Sequence, residues 1–207
     1  MRPLPRLHAI TDAEVLALTD LGVRAAAIAA AGSAVALHAR DHRAGGARLS
    51  QVAARFLALA RPPEASVLVN GHPDIAQALG AHGVQLRSAD LPPAEARRVM
   101  PHGWIGSSVH SAEAAETAAK EGADFLMVGA VFPTASHPAG PVPGIQLIRD
   151  CVGLGLPVIA IGGMTSERSL EARDAGAYGV AAISGLWHSP DPAAAALAML
   201  APWLEAT

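Results

Sequence analysis

Eight short apolar runs punctuate this chain, and each is followed by a polar turn and a segment of helical patterning. The runs fall at 7–10, 34–38, 66–69, 83–86, 104–107, 125–128, 157–161 and 179–183. Runs this short, bounded by Gly, Pro and charged residues, suit buried strands better than helices. The Ala-rich segments between them read as crossover helices at 50–60, 74–80, 93–100, 112–121, 145–152, 167–175 and 192–204. Asp12, Ser50, Ser111 and Thr165 stand where N-caps belong, and Gly80, Gly122 and Gly176 stand where helices end. Successive parallel strands need a connection of helix length, so the alternation predicts a parallel sheet. A doubly wound open sheet shares the pattern. The count of eight and the short loops favour closure into a (β/α)8 barrel of the TIM type, an α/β fold forming a single domain over 1–207.

Composition removes several classes of function. The longest apolar stretches are broken well before the roughly 18 residues of a membrane span, and the Arg- and Pro-containing start lacks the apolar core of a secretion signal. A net charge of −3 leaves no basic footprint for nucleic acid. The single cysteine, Cys151, has no internal partner for a disulfide, which fits a reducing cytoplasm. It reads as a small apolar filler on a helix. Lys120 is the only lysine and sits at an exposed helix end, so the chain has no strand-end lysine for Schiff-base chemistry. No cofactor motif and no metal-ligand spacing appears.

Chemistry in either architecture belongs beyond the C-terminal ends of the strands. The polar residues there include Thr11 and Asp12, His38 and Arg40, Asn70, Gln85, Ser108 and His110, and Thr134. His38 and Arg40 are two apart on one strand and so share a face, expected to be the barrel mouth. Gly162-Gly163, between a buried strand and a helix cap, and Ser184-Gly185, at the end of the next strand, are expected to grip a phosphate. Glycine lets backbone N–H groups approach an anion, and a helix N-terminus favours negative charge.

In their order and spacing these segments resemble the thiamine phosphate synthase/TenI superfamily, over nearly the whole chain. The matching blocks include Leu7-His8-Ala9-Ile10-Thr11-Asp12, Val69-Asn70-Gly71, Val84-Gln85-Leu86, Ser108-Val109-His110-Ser111, Phe132-Pro133-Thr134 and Ile161-Gly162-Gly163-Met164-Thr165. The resemblance implies a barrel that binds a small phosphorylated thiazole, with no nucleic-acid or membrane partner; a homo-oligomer is left open.

Synthases of this superfamily join a pyrimidine diphosphate to a thiazole phosphate, with Mg²⁺ shielding the diphosphate. The resemblance then calls for an Asn-Asp pair after strand 3, a second Asp after strand 4 and two lysines. Here Asn70 is followed by Gly71, Asp90 matches the second Asp, and His42 and His137 stand where the lysines belong. These departures favour the TenI branch, whose activity is thiazole tautomerisation, an isomerisation by proton transfer without a metal. On that reading Arg40, Asn70, Ser108, Thr134, Gly162, Gly163, Ser184 and Gly185 bind the substrate, and the proton-transfer group is sought among His110, His42 and His137. His110 comes first because it is held at a strand end. The branch's catalytic histidine position is Ala130 in this chain. Two alternatives stand beside this reading: thiamine phosphate synthase, and a non-catalytic thiazole-phosphate-binding or regulatory protein.

Overall fold

The computed structural model describes residues 2–43, 45–60, 64–134 and 142–204. Its centre is a closed ring of eight parallel strands in sequence order, β1 (Leu7–Ile10), β2 (Val35–Ala39), β3 (Ser66–Asn70), β4 (Gly83–Leu86), β5 (Trp104–Val109), β6 (Phe125–Val128), β7 (Val158–Ile161) and β8 (Gly179–Ala182). The ring closes where Leu7 of β1 pairs with Val180 of β8. The expected (β/α)8 barrel is the observed fold.

Helices α1 (Ala13–Leu16) and α2 (Leu21–Ala29) follow β1, and α3 (Gly46–Leu59), α4 (Pro73–Leu79), α5 (Pro93–Val99), α6 (Ala112–Lys120), α7 (Ile145–Val152) and α8 (Ser166–Asp174) follow the next strands in turn. A short α9 (Ser184–Trp187) follows β8 before the final α10 (Pro192–Leu204). Among the described residues no helix is long and apolar enough to cross a membrane.

Strand parity separates two cores. Leu7, Leu37, Val67, Val84 and Leu126 face outward into the layer between sheet and helices. Buried Ala25, Ala53, Ala76, Ala96 and Ala115 meet them there, and such small side chains let each helix sit close to the sheet. Phe56 and Trp187 stack in this layer with ring centroids 6.0 Å apart. The opposite parity fills the barrel interior with Ile10, Leu68, Trp104, Phe125, Met127 and Ile159. Inside the ring, Gly106 is a packing requirement. A Cβ there would collide with the Gln85 side chain and the Phe125 ring.

Three expected N-caps form as read. The side chains of Asp12, Ser111 and Thr165 accept from the backbone N–H of Val15, Ala114 and Arg168. Ser50 is a correction. Helix α3 begins at Gly46, which leaves Ser50 inside it, donating back to the Gly46 carbonyl at 2.9 Å. The segment before Ser50 carries two glycines and so little helical signal, and packing rather than propensity extends the helix. Cys151 is fully buried on α7, as a filler would be. Lys120 is exposed and paired with Glu116.

Replacing Gly106 with valine should lower stability by ~1–3 kcal/mol, the range for overpacking a filled core. Urea unfolding would show a lower midpoint at unchanged slope; an unchanged midpoint would mean the interior has slack.

Candidate functional site

Inward parity places His8, His38, Asn70, Gln85 and Ser108 on β1 to β5 in succession, so one side of the interior is polar. The facing side, on β6 to β8, presents Met127, Ile159 and Ala181. His8 and His38 are completely buried, with His8 Nδ1 2.8 Å from His38 Nε2. Burial, above all, pushes both rings down from the ordinary histidine range. His38 falls to about 4, the nearby Arg40 charge adding to the effect against the contact with Asn70 Oδ1, which favours the charged ring. His38 therefore lies inside the barrel as a neutral ring, below the mouth where sequence reading set it.

A neutral pair allows one arrangement of protons. The Pro5 carbonyl, 3.0 Å from His8 Nε2, can only accept, so that nitrogen carries hydrogen. His8 Nδ1 is then bare and accepts from His38 Nε2. His38 Nδ1 is bare in its turn and lies 3.0 Å from Asn70 Oδ1, two acceptors face to face, a conflict that turning the amide over removes. The amide nitrogen must donate there, since the two ends of an amide are told apart by their partners. The Asn70 carbonyl oxygen is thereby turned toward the mouth.

Above Asn70 lies a cleft of about 100 Å³ lined by Arg40, Asp41, His42, Gly71, His72 and Arg87. That is well below the several hundred cubic ångströms of a whole-ligand site and suits one anionic group of a ligand. Arg40 is anchored by buried Thr11, whose hydroxyl shares its one proton between the carbonyls of Arg40 and His38, at 2.8 and 3.0 Å, and accepts from the Arg40 N–H. Among the described residues the Arg40 guanidinium forms no ion pair. It meets the Thr11 carbonyl at 3.3 Å and His42 Nε2. Burial pushes its pKa down, though an arginine stays charged.

Arg87, which sequence reading did not select, completes this cluster. Its Nη1 lies 3.1 Å from His42 Nδ1, and its Nη2 and Nε donate to the Asp90 carboxylate at 2.7 and 3.2 Å. The Arg87 backbone N–H donates to the same carboxylate at 2.8 Å. The Asp90 side chain is only 8% exposed. Burial would raise its carboxyl, but the Arg87 hydrogen bonds and charge, with His72, hold it below the usual carboxylate range. The available signal was the i, i+3 spacing of a cation and a carboxylate directly after a strand.

The donor set does not fit a divalent cation of the kind the resemblance implies. A Cβ at Gly71 would lie 3.3 Å from Asp90 Oδ2, so the missing carboxylate belongs beside Asp90, and there is none. Asp90 itself is held by a guanidinium. Among the described residues no cluster of three or more His, Cys, Asp or Glu could hold a metal ion.

Across the mouth, Gln85 Nε2 donates to Ser108 Oγ at 3.0 Å, which leaves the Ser108 hydroxyl proton free to be donated. The Gln85 Oε1 is buried without a protein partner. His110 is exposed, and its Nδ1 donates to the Gly129 carbonyl. His42, in the cleft, is pushed down first by burial and then by both arginines. His137 lies outside the described residues, and Thr134 is the last described residue before that gap.

The two glycine loops converge. A Cβ on Gly185 would lie 2.9 Å from the Met164 carbonyl, so the turn after β7 abuts α9. Sequence reading treated Ser184-Gly185 as a strand end; they are instead the first residues of a short helix, whose opening N–H groups have no partner within it. Gly163, at φ 63°, has a second reason to be glycine, because a Cβ would lie 2.6 Å from the Pro133 carbonyl. A larger cleft of about 350 Å³ opens at the other end of the barrel, against Gly103 and Trp104 at the start of β5. No strand C-terminus reaches it.

The model of a family described as thiamine monophosphate synthase matches residues 7–186. The thiamine-phosphate synthase of Methanoculleus marisnigri is 39% identical over 92% of this chain and 91% of its own. That of Methanospirillum hungatei is 40% identical over 91% and 93%. Among solved structures, a thiamine phosphate pyrophosphorylase from Pyrococcus furiosus superposes with a TM-score of 0.84 at 32% identity, covering 99% of this chain and 98% of that one. These relatives overturn the preference for a thiazole tautomerase. The missing carboxylate and lysines argued for an isomerase, but similarity along the whole chain runs to proteins named as synthases.

The buried histidines make stability pH-dependent. An unfolded histidine titrates near ~6.5, while His38 in the fold stays neutral down to about 4. Between those values the unfolded chain binds a proton that the folded chain refuses, so stability falls as pH drops, by ~1.4 kcal/mol per pH unit for one such group. His38→Gln should show a shallower loss than wild type in unfolding free energies measured at pH 7 and pH 5. Equal losses would mean that His38 charges freely in the fold.

Proposed function

This chain belongs to the thiamine monophosphate synthase family, and we propose that it carries out that family's transfer, joining a pyrimidine presented as its diphosphate to a phosphorylated thiazole. The observation that carries this reading is the presence of two anion-suited places on one barrel mouth. Arg40, His42 and Arg87 form one, after β2 and β4. The turn after β7 and the N-terminus of α9 form the other. Loops after the seventh and eighth strands, with a short extra helix, are a recurrent phosphate grip in barrels of this kind. A reaction between two phosphorylated substrates needs two such places. An isomerase acting on one phosphate needs one.

In the transfer, the bond from the pyrimidine's carbon to the diphosphate oxygen breaks as the thiazole bonds to that carbon. Negative charge collects on the departing diphosphate. Arg40 and Arg87 stand where that charge would develop, and fixed donors in a partly dried cleft stabilise it without reorganising. The Asn70 carbonyl oxygen, aimed by the His8–His38 pair, can accept from a ligand N–H. The Ser108 hydroxyl can donate. The apolar half of the barrel gives the rings a surface to lie against.

Incubating the protein with both substrates should form thiamine phosphate, followed by chromatography. Arg40→Ala should lower kcat/KM by about 10²-fold or more, the scale for removing one such donor, with the circular dichroism spectrum unchanged. Absence of product above the uncatalysed rate in wild type would refute the proposed transfer.

A further inference from the structure

We propose that the Arg40–His42–Arg87 cluster binds a diphosphate directly, with the Arg87 guanidinium, seated on Asp90, taking the place of a divalent cation. The substrate class rests on the function proposed above; the absence of a cation from the site is the new element.

Proton counting at His42 carries the argument. Guanidinium groups only donate, and a neutral imidazole has one bare nitrogen to accept. Yet Arg40 faces His42 Nε2 and Arg87 faces His42 Nδ1. One of these contacts must set an N–H against an N–H. A protonated ring would set both against N–H. The cluster therefore holds more donors than it can satisfy internally: Asp90 is already taken by Arg87, and Asp41, which also lines the cleft, forms no ion pair with either guanidinium among the described residues. Water can meet these donors one at a time in the open cleft, but an acceptor-rich ligand meets several at once, as a phosphate oxygen lying between a guanidinium and the ring does. The two guanidinium groups sit on opposite sides of one imidazole. A single phosphate can engage one of them well, and a diphosphate can bridge both.

Asp90 explains why a guanidinium can do the work of a cation. A carboxylate paired with a second carboxylate attracts a divalent ion. Here the second carboxylate position is Gly71, and a Cβ there would be 3.3 Å from Asp90 Oδ2. Arg87 donates to Asp90 through Nε and Nη2 as well as its backbone N–H, which fixes the guanidinium while its Nη1 remains aimed at His42. The positive charge is thus built into the chain at the place where a metal site would otherwise need its second carboxylate.

Titration calorimetry with inorganic diphosphate tests this without catalysis. Wild type should bind diphosphate in EDTA, more tightly than inorganic phosphate, and excess Mg²⁺ should not tighten the binding. Arg87→Ala should weaken it at least tenfold in EDTA with the circular dichroism spectrum unchanged at the assay temperature. Arg98→Ala, which removes an exposed cation paired with Glu95 on α5, should leave it unchanged. Binding that appears only with Mg²⁺, no binding in either buffer, or equal affinity for wild type and Arg87→Ala would each overturn the proposal. The two readings separate cleanly. Diphosphate binding in EDTA without product formation would sink the transfer alone, whereas product formation strictly dependent on Mg²⁺ would sink the metal-free site alone.

Discussion

Closing eight short parallel strands into a ring divides every strand by parity, and everything else in this molecule follows from that division. One set of side chains must meet the helices; the other must fill a space that has no solvent at its centre. An interior of apolar residues alone would be inert. Here five consecutive strands contribute polar side chains to it, and most of these buried groups partner one another, the Gln85 carbonyl oxygen being the exception among them. His8 and His38 satisfy each other, Pro5 closes one end of the chain and Asn70 the other. Since burial keeps the rings neutral, their protons have a single arrangement. The orientation of an amide at the mouth is therefore decided by a carbonyl at the foot of the barrel.

The mouth follows a different rule. Of its two arginines only Arg87 is paired in the way the outer surface pairs Arg24 with Asp20 or Arg98 with Glu95. Arg40 is held through backbone and hydroxyl contacts, which fix its position while its guanidinium makes no direct ion pair among the described residues. Arg87 is compensated by Asp90 on one side and directed at His42 on the other. Such an arrangement costs stability in the free protein and lowers the cost of receiving an anion. On the far side of the same mouth, the turn after β7 and the start of α9 bring together glycine and backbone N–H groups with no formal charge, so the two places differ in kind as well as position.

Residue-by-residue comparison with the family's pattern proved a weak guide to the reaction, and the reason is physical. Absent lysines and an absent carboxylate look like lost function when each position is weighed alone. In the fold, Arg87 reaches the space that those groups would serve, from a position the pattern does not mark. Charge at a site is a property of a volume, and several chain positions can supply it.

The sequence by itself determined the alternation of strand and helix, the closed barrel, most of the helix caps and the end of the barrel at which the polar strand-end residues gather, because these rest on local periodicity and on the short reach of turns. It also placed Arg40, His42 and Asn70, whose strand-end positions bring them into one cleft. Only the tertiary structure decided the rest. The early start of α3 at Gly46 and the helical state of Ser184 depend on packing that local propensity does not contain. His38 reads as a mouth residue until the ring closes over it, and then its burial makes it a neutral support for Asn70. Arg87 and Asp90 are ordinary charges three residues apart until β2 and β3 bring His42 and Gly71 beside them. Contacts between residues far apart in the chain, and the desolvation that accompanies them, have no local signature.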